Sequence, residues 1–516
     1  MTLVESPLPD APARRPRALT VPASVLDPVL VGLVSLVVYA LHGFDGPLTH
    51  DLGLFVYGGE QVARGVPPYV EVFNTVGPLA DAVPGLAIRL GGLVGLDPVL
   101  SARLFFLVLS ALCCALVSVL ARDTFGSRPA GLLAPAVFLT FECFIELASG
   151  GPREKTTMLV FLLTSLILTG RRRWLGAGAC AALATLTWQP ALMVAVVAVA
   201  AAALTAGPGR ARALLRFVVG GTIPTVVTAL YFVQAGAARQ AFDGFVVVNL
   251  RYTTQPSIFD DRVLGQLWHD YHFSLLLVVA GLLSLLVLAG RALPSVVLPP
   301  EAPSTVAWRL TVVGAGGLAA VVWTVCVVNG GPDLFVVLPF AALGAAGGLA
   351  ALLSRLPLRA AAPAVALLVV AGVVVASLEA VTTSKDTLLR QRADALAVLG
   401  TQPADATIVS IDAPQALAVV DRTSAWSYQL FDERMDDFID ATQPEGTVGL
   451  AARLAREQPT FVVVNALSES TWQAQTLADH YQRVGHGPGW IWYLSNDAGP
   501  DALAAARAAN AAAMGR

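Results

Sequence analysis

Between residues 26 and 379 the chain runs again and again for about twenty residues with hardly a charged side chain, the length needed to cross the hydrocarbon of a bilayer. In that medium no water satisfies backbone amides and carbonyls, so each run is confined to a helix that closes its own hydrogen bonds. Hydrophobic residues make up 56% of the sequence and charged residues 13%, against about 25% charged in soluble domains. The chain is therefore expected to be a polytopic membrane protein. Its net charge of -3 excludes nucleic-acid binding through overall basicity, and no sustained Lys/Arg tract suggests it locally.

Hydropathy predicts spans at 26–44, 98–120, 129–148, 154–169, 174–187, 190–206, 217–234, 273–290, 310–328, 334–353 and 360–379. One helix over 174–206 would be about 50 Å long, well beyond a hydrocarbon core of about 30 Å. Breaking it at Trp188-Gln189-Pro190 gives two short helices. With that break, Arg171 to Arg173, Arg210, Arg212 and Arg216 fall on the same side as Arg14, Arg15, Arg17, Arg122, Arg128, Arg291, Arg309, Arg355 and Arg359, as expected of a cytoplasmic face. About eleven spans follow, in a multi-pass plasma-membrane protein with its N-terminus inside and its C-terminal part outside. Residues 1–25 have no cleavage-site pattern and are expected to form a disordered cytoplasmic leader. External loops are expected at 45–97 and 235–272 within a membrane domain spanning 26–380.

From Lys385 onward the periodicity changes. Strands are predicted at 407–412, 460–465 and 490–494, and helices at 387–399, 447–457 and 470–483, giving an extracytoplasmic α/β domain over 381–497. Its acids Asp412, Asp421, Asp436 and Asp437 read either as a metal or sugar site or as solvated surface groups. Residues 498–516 form an Ala-rich tail, a marginal helix or a frayed end. All five cysteines lie in apolar runs without metal-ligand spacing, as small hydrophobes do.

Residues 50–78 are the polar exception between the first two spans. Ionisable groups held at a bilayer boundary are functional candidates because desolvation makes them costly. Asp51 has two readings, a reactive carboxylate or the N-cap of a helix starting near Leu52. Glu60 and Arg64 have the i,i+4 spacing of a helix-face ion pair. Arg153, Glu154 and Lys155 open a span and read either as a phosphate site, with cations and helix N-terminal amides together, or as an interfacial anchor snorkelling to headgroups. Trp188, Trp268 and Tyr271 have the character of interface-belt aromatics, and Asp333 is either a helix-start residue or part of a site rim.

The pattern Asp51-x-Gly-x-Phe-x-Tyr-x-Gly, then Gly65-x-Pro-Pro-Tyr69-x-Glu71-x-Phe73, then Gly77-Pro78-Leu79 resembles the first external loop of the C-fold (GT-C) polyprenyl-phosphate-sugar glycosyltransferases, the dolichyl-phosphate-mannose mannosyltransferase and aminoarabinose transferase group. Thr185-Leu-Thr-Trp-Gln189 similarly resembles the family's Leu-Thr-Lys-Gln element, with Trp188 in place of the Lys. Leu52, Glu71 and Val76 also depart from the family pattern, which leaves donor identity and metal use open. The resemblance implies a GT-C-like helical membrane domain with an extracytoplasmic α/β domain and a polyprenyl-phosphate sugar donor, with Asp51 as catalytic base. No firm cofactor is implied, and a divalent cation is compatible.

The chemistry asks for the same residue types. A carboxylate takes the proton of the acceptor hydroxyl as it attacks the anomeric carbon, and cations or helix N-termini meet the charge on the leaving phosphate. The catalytic candidates are Asp51, Glu71 and Glu154. Arg153, Lys155 and Arg251 are the donor-phosphate candidates, and His50, Tyr57, Tyr69 and Gln189 the substrate-binding ones. The acceptor is a cell-envelope glycan, lipid or protein. Two other classes compete: a transporter or flippase of lipid-linked sugars, which calls for inverted repeats and midplane charges, and a non-catalytic membrane scaffold.

Overall fold

The computed structural model describes residues 22–205, 209–252, 256–297, 304–431, 435–468 and 471–515. Most of the expected leader, residues 1–21, lies outside the described residues. The chain opens with α1 (Ala23–Ala40), followed by two helices inside the expected first external loop, α2 (His50–Ala63) and α3 (Leu79–Gly92). Then come α4 (Pro98–Phe125), α5 (Arg128–Phe138), α6 (Glu142–Gly150), α7 (Glu154–Gly170), α8 (Trp174–Thr185), α9 (Ala191–Leu204) and α10 (Arg210–Gln234). After two short helices, α11 (Ala238–Phe242) and α12 (Val248–Arg251), joined by a π-helical turn over Asp243–Val247, follow α13 (Asp261–Tyr271), α14 (Ser274–Val297), α15 (Thr305–Cys326), α16 (Leu338–Leu353) and α17 (Leu358–Thr382).

Local sequence sets several of these boundaries. Asp97 caps α4 by accepting from the Leu100 amide at 3.2 Å, ahead of Pro98, and Gly126 ends the helix in the left-handed region at φ 60°. Ser127 and Ser304 cap α5 and α15 in the same way. Among the described residues six helices are long and apolar enough to cross a membrane unaided, and α5 with α6 makes a seventh if counted as one broken span. The expected continuous span at 129–148 is thus replaced by two helices bent by 74°. The apolar helices α8, α9 and α16 are shorter, the first two meeting at the predicted Trp188-Gln189-Pro190 break.

The outer surfaces of α10, α14 and α17 expose Leu215, Val227, Leu276, Leu283, Leu367 and Leu378, an apolar area suited to lipid and not to water. Inside, Cys113 and Cys114 of α4 lie among Met158, Leu159 and Leu162 of α7, packing as small hydrophobes. Charge collects at one end of α4, where Arg122 and Arg128 hold Asp27 at 3.1 and 2.8 Å and Arg171 holds Asp123 at 2.6 Å. At the other end Asp97 pairs with Arg392 of the C-terminal region at 3.0 Å.

That region holds α18 (Thr387–Leu399), β1 (Ile408–Ile411), α19 (Gln415–Ala418), α20 (Met435–Thr442), α21 (Gly446–Glu457), β2 (Phe461–Asn465), α22 (Ala474–His480), β3 (Tyr481–Gly487), β4 (Trp490–Ser495) and α23 (Pro500–Met514). The strands form one sheet in the order β1-β2-β4-β3, with β1 and β2 parallel (Ile408 opposite Phe461) and the other pairs antiparallel. The helix predicted over 470–483 is corrected here. It ends at His480, and Tyr481 begins a hairpin strand turned by Pro488 and Gly489, the latter at φ 107°. The Ala-rich tail is a packed helix, with Leu503 and Ala506 buried and Asn510 donating to Asp394 at 2.6 Å. Asp394 also accepts from the indoles of Trp490 (3.0 Å) and Trp492 (2.8 Å), so three donors hold this buried carboxylate.

Helices α8 and α10 touch backbone to backbone. A Cβ on Gly220 would lie 1.9 Å from the Leu175 carbonyl oxygen, and one on Gly178 1.9 Å from that of Phe217. Small residues permit such approaches in lipid. Gly220→Val is expected to destabilise the fold by about 1–3 kcal/mol or more through overpacking, seen as a lower unfolding temperature of the detergent-solubilised protein. An unchanged temperature would contradict this packing.

Candidate active site

The N-terminus of α2 fixes the first part of the site. Thr49 is its N-cap, its hydroxyl facing the Leu52 amide at 3.5 Å, so the cap reading of Asp51 is corrected. Relieved of that role, Asp51 lines a cavity of about 980 Å³ with 52% of its side chain exposed. His50 Nδ1 stands 3.3 Å from one carboxylate oxygen, and Arg153 Nη1 donates to the other at 2.5 Å. Burial pushes the Asp51 carboxyl up, but the Arg153 charge and the His50 hydrogen bond prevail and hold it well below the usual carboxylate range.

From Arg153 the charges alternate across the wall. Arg153 Nε lies 3.3 Å from Glu154, Lys155 Nζ is 2.6 Å from the other oxygen of Glu154, and the same ammonium reaches Asp333 at 3.1 Å. Asp333 also accepts from the Asn329 amide at 2.6 Å. Arg153, Glu154 and Lys155 are all buried, at 8%, 2% and 5% exposure, so they point inward and the snorkelling-anchor reading is corrected. Lys155 Nζ sits 5.2 Å from the centre of the Trp188 ring, a cation–π contact. Trp188 and the buried Tyr271, which donates to the Gly331 carbonyl at 2.8 Å, thus serve the cavity region and not an interface belt. No side chain caps α7, and both cations at its start line the cavity.

Gln189 also lines the cavity. Its amide donates to the carbonyls of Thr75 (2.9 Å) and Phe245 (3.2 Å), clamping the loop after α2 to the π-helical turn, and Asn249 adds a bond to Thr75 at 2.6 Å. Tyr69, at φ 70°, ties the same loop together through its hydroxyl bond to the Val76 carbonyl at 2.6 Å and packs on Phe232. It supports the wall without lining it. Tyr57 is buried and accepts from the Ser424 amide at 2.9 Å, a contact with the C-terminal region away from the cavity.

Two candidates stand elsewhere. Glu71 is exposed outside the cavity, so the three candidate carboxylates do not converge, and Asp333 takes the third place beside Asp51 and Glu154. Arg251 is exposed, while its neighbours Asn249 and Leu250 form the wall. The Glu60–Arg64 pair is also corrected. Arg64 turns to Asp421, and the buried Glu60 carboxylate has no hydrogen-bond partner among the described residues. Burial pushes Glu60 up.

The remaining lining divides by chemistry. Glu146, Asp270 and Gln266 extend the polar side, so five carboxylates face two cations. Among the described residues no group of three His, Cys, Asp or Glu side chains stands in a metal-holding arrangement. On the other side Leu192, Met193, Val196, Trp323 and Val327 form an apolar flank. Leu192 and Val196 also belong to the exposed surface of α9. A polar, charged pocket and an apolar flank continuous with the lipid-facing surface therefore share one hollow.

This architecture is the GT-C fold. ArnT from Cupriavidus metallidurans bound to undecaprenyl phosphate superposes with a TM-score of 0.63 at 16% identity, over 92% of this chain and 99% of that one. Its apo state gives 0.62 at 16% identity, over 93% and 100%. The oligosaccharyltransferase of Archaeoglobus fulgidus in the apo form gives 0.53 at 12% identity, over 91% of this chain and 74% of that one. No protein-family model matches the chain, and no curated protein sequence does.

Lys155 is the shared counter-ion of Glu154 and Asp333. Lys155→Met would leave Asp333 without its cation and Glu154 with Arg153 alone, and is expected to cost about 3–5 kcal/mol, the scale for breaking a buried ion pair. Thermal unfolding of the purified protein checks this, and a variant as stable as wild type would refute the pairing.

Proposed function

We propose that this protein is an integral-membrane glycosyltransferase that moves a sugar from a polyprenyl-phosphate donor to a cell-envelope glycan, lipid or protein. The observation that carries the reading is Asp51, an ionised carboxylate in the wall of a hollow that also has an apolar flank, whose Leu192 and Val196 belong to the exposed surface of α9. A polyprenyl-phosphate sugar has matching halves: the tail fits the apolar flank, and the sugar phosphate fits the polar end. The fold shared with ArnT bound to undecaprenyl phosphate supports the donor class.

In this reading Asp51 is the base. It accepts the proton of the acceptor hydroxyl while that oxygen bonds to the anomeric carbon, and the bond from that carbon to the phosphate oxygen breaks. Arg153, Lys155 and the first amides of α7 receive the negative charge on the departing polyprenyl phosphate. Arg153 is bound to Asp51, so a donor phosphate competes for its guanidinium and leaves Asp51 more basic as the donor binds. Glu154 and Asp333 hold the cations in place. Gln189 shapes the wall through Thr75 and Phe245, and His50 steadies Asp51. The C-terminal domain, seated at the end opposite the Arg122–Arg128 cluster, is extracytoplasmic in this orientation, in keeping with the excess of cations at the cytoplasmic end.

Transfer measured in membranes, with the product identified by comparing envelope glycans of cells with and without the protein, is expected to fall at least about 100-fold in Asp51→Asn. Full activity at normal abundance would remove the base assignment. Arg153→Gln withdraws the charge that holds the Asp51 carboxyl down and leaves burial to raise it. The acid limb of the pH–rate profile should therefore move to higher pH, and an unmoved limb would exclude this coupling. A cysteine at Leu467, 93% exposed, is expected to react with a membrane-impermeant thiol reagent on intact cells; reaction only after permeabilisation would invert the topology.

A further inference from the structure

The segment that leads into α2 is held from two sides. From α4 the fully buried Arg103 donates to the carbonyls of Phe44, Gly46 (2.9 Å) and Pro47 (3.4 Å). From α18 of the C-terminal domain the Leu388 amide donates to the Asp45 carbonyl at 2.9 Å, and Gln391 takes both backbone groups of Leu48. Its Oε1 accepts from the Leu48 amide and its Nε2 donates to the Leu48 carbonyl, each at 2.9 Å. Nε2 also donates to the Pro488 carbonyl at 3.1 Å, in the turn between β3 and β4. These partners decide which end of the side-chain amide is oxygen, because the Leu48 amide needs an acceptor and both carbonyls need donors. Leu48 and Gln391 are 0% and 2% exposed, so bulk water cannot stand in for a lost bond.

Thr49, the N-cap of α2, follows Leu48 directly, and the first helical bond runs from the Gly53 amide to the Thr49 carbonyl at 2.8 Å. Asp51 lies in that first turn. Successive helical residues are rotated by about 100°, so a shift in the segment before the cap changes the direction in which the Asp51 side chain leaves the helix. We propose that Gln391 is a positioning residue of the transfer site: by gripping Leu48 on both sides it sets the start of α2, and so places the Asp51 carboxylate against Arg153 and His50. This rests on the reading of Asp51 as base. Gln391 does not line the cavity and touches no reacting atom; it acts through the backbone of Leu48.

The test compares two neighbouring substitutions in the full-length protein. Gln391→Met fills much the same space and removes all three bonds. Arg392→Gln cuts a different tie between the same two regions, the 3.0 Å pair with Asp97. Q391M is expected to slow transfer per folded molecule at least about tenfold, since a misplacement of about 1 Å can cost about 100-fold. It should also move the acid limb of the pH–rate profile to higher pH. Burial raises the Asp51 carboxyl while Arg153, itself paired with Glu154 on its other side, and His50 hold it down, and a displaced Asp51 loses part of that hold. R392Q is expected to lower the unfolding temperature and to leave both the rate per folded molecule and the acid limb in place, which is how Q391M would behave if Gln391 were structural alone. A full rate or an unmoved limb in Q391M would overturn the proposal, and so would an equal move of the limb in R392Q. Should Q391M not accumulate in the membrane, Gln391→Asn, which keeps the amide but withdraws it by one methylene, is read by the same two measures: a slower rate with a moved limb supports the proposal, and a wild-type value of either overturns it. Asp51→Asn runs alongside. Full rate there overturns the base assignment and this proposal with it, whereas loss in D51N with wild-type behaviour in Q391M overturns this proposal alone.

Discussion

The ion chain from Asp51 through Arg153, Glu154 and Lys155 to Asp333 is the constraint on which the rest of the site depends. A charge in a dry protein wall is costly unless an opposite charge and hydrogen bonds meet it. Alternating the signs satisfies each member with its neighbours, and it also fixes three separate pieces of chain relative to one another: the start of α2, the start of α7 and the turn before α16. Only the Asp51 end opens broadly to the cavity. Pairing that stabilises the wall thereby leaves one carboxylate exposed where chemistry can use it.

The second organising feature is the seating of the C-terminal domain. Gln391 of α18 bonds both the amide and the carbonyl of Leu48 at 2.9 Å, the Ser427 carbonyl receives the Phe73 amide at 3.0 Å, and Tyr57 receives the Ser424 amide. These are backbone contacts on both flanks of α2. They specify a position more sharply than apolar packing alone, because a misplaced domain would strand buried polar groups. Movement of that domain would therefore be felt at His50 and Asp51. The loop from Tyr69 to Val76 receives the same treatment from the other side, held by Gln189, Asn249 and Phe232.

Some of the site was legible in sequence. A polar stretch between apolar runs, and cations opening a span, are costly in a membrane and so point to use; Asp51, Arg153, Glu154 and Lys155 carry that signal, Gln189 carries the resemblance to the family's Leu-Thr-Lys-Gln element, and all five line one cavity. Glu71 and Arg251 carried the same signal, but which way a loop side chain faces depends on neighbours far along the chain, and both face outward. Asp333 was legible only as a rim residue because its role comes from Lys155, far away in sequence. Asp412 read as part of a metal or sugar site or as a solvated surface acid, and nothing in its neighbours revealed that it is buried and accepts from the Phe431 amide. The stretch at 470–483 misled for another reason: Tyr481, Gln482 and Arg483 gain their strand conformation from pairing with β4, which overrides local helical preference.

By itself the sequence determined the class of molecule, the helical character of its membrane part, the break at Trp188-Gln189-Pro190 and the change to an α/β domain near Lys385. Those follow from solvation and periodicity, which act locally and are written residue by residue. The tertiary structure alone decided which carboxylates share a pocket, which cation answers which acid, and that α19 of the C-terminal domain meets the helix bearing Asp51. Such choices depend on distances between segments hundreds of residues apart, and electrostatic pairing in a low-dielectric wall is a property of those distances and not of composition.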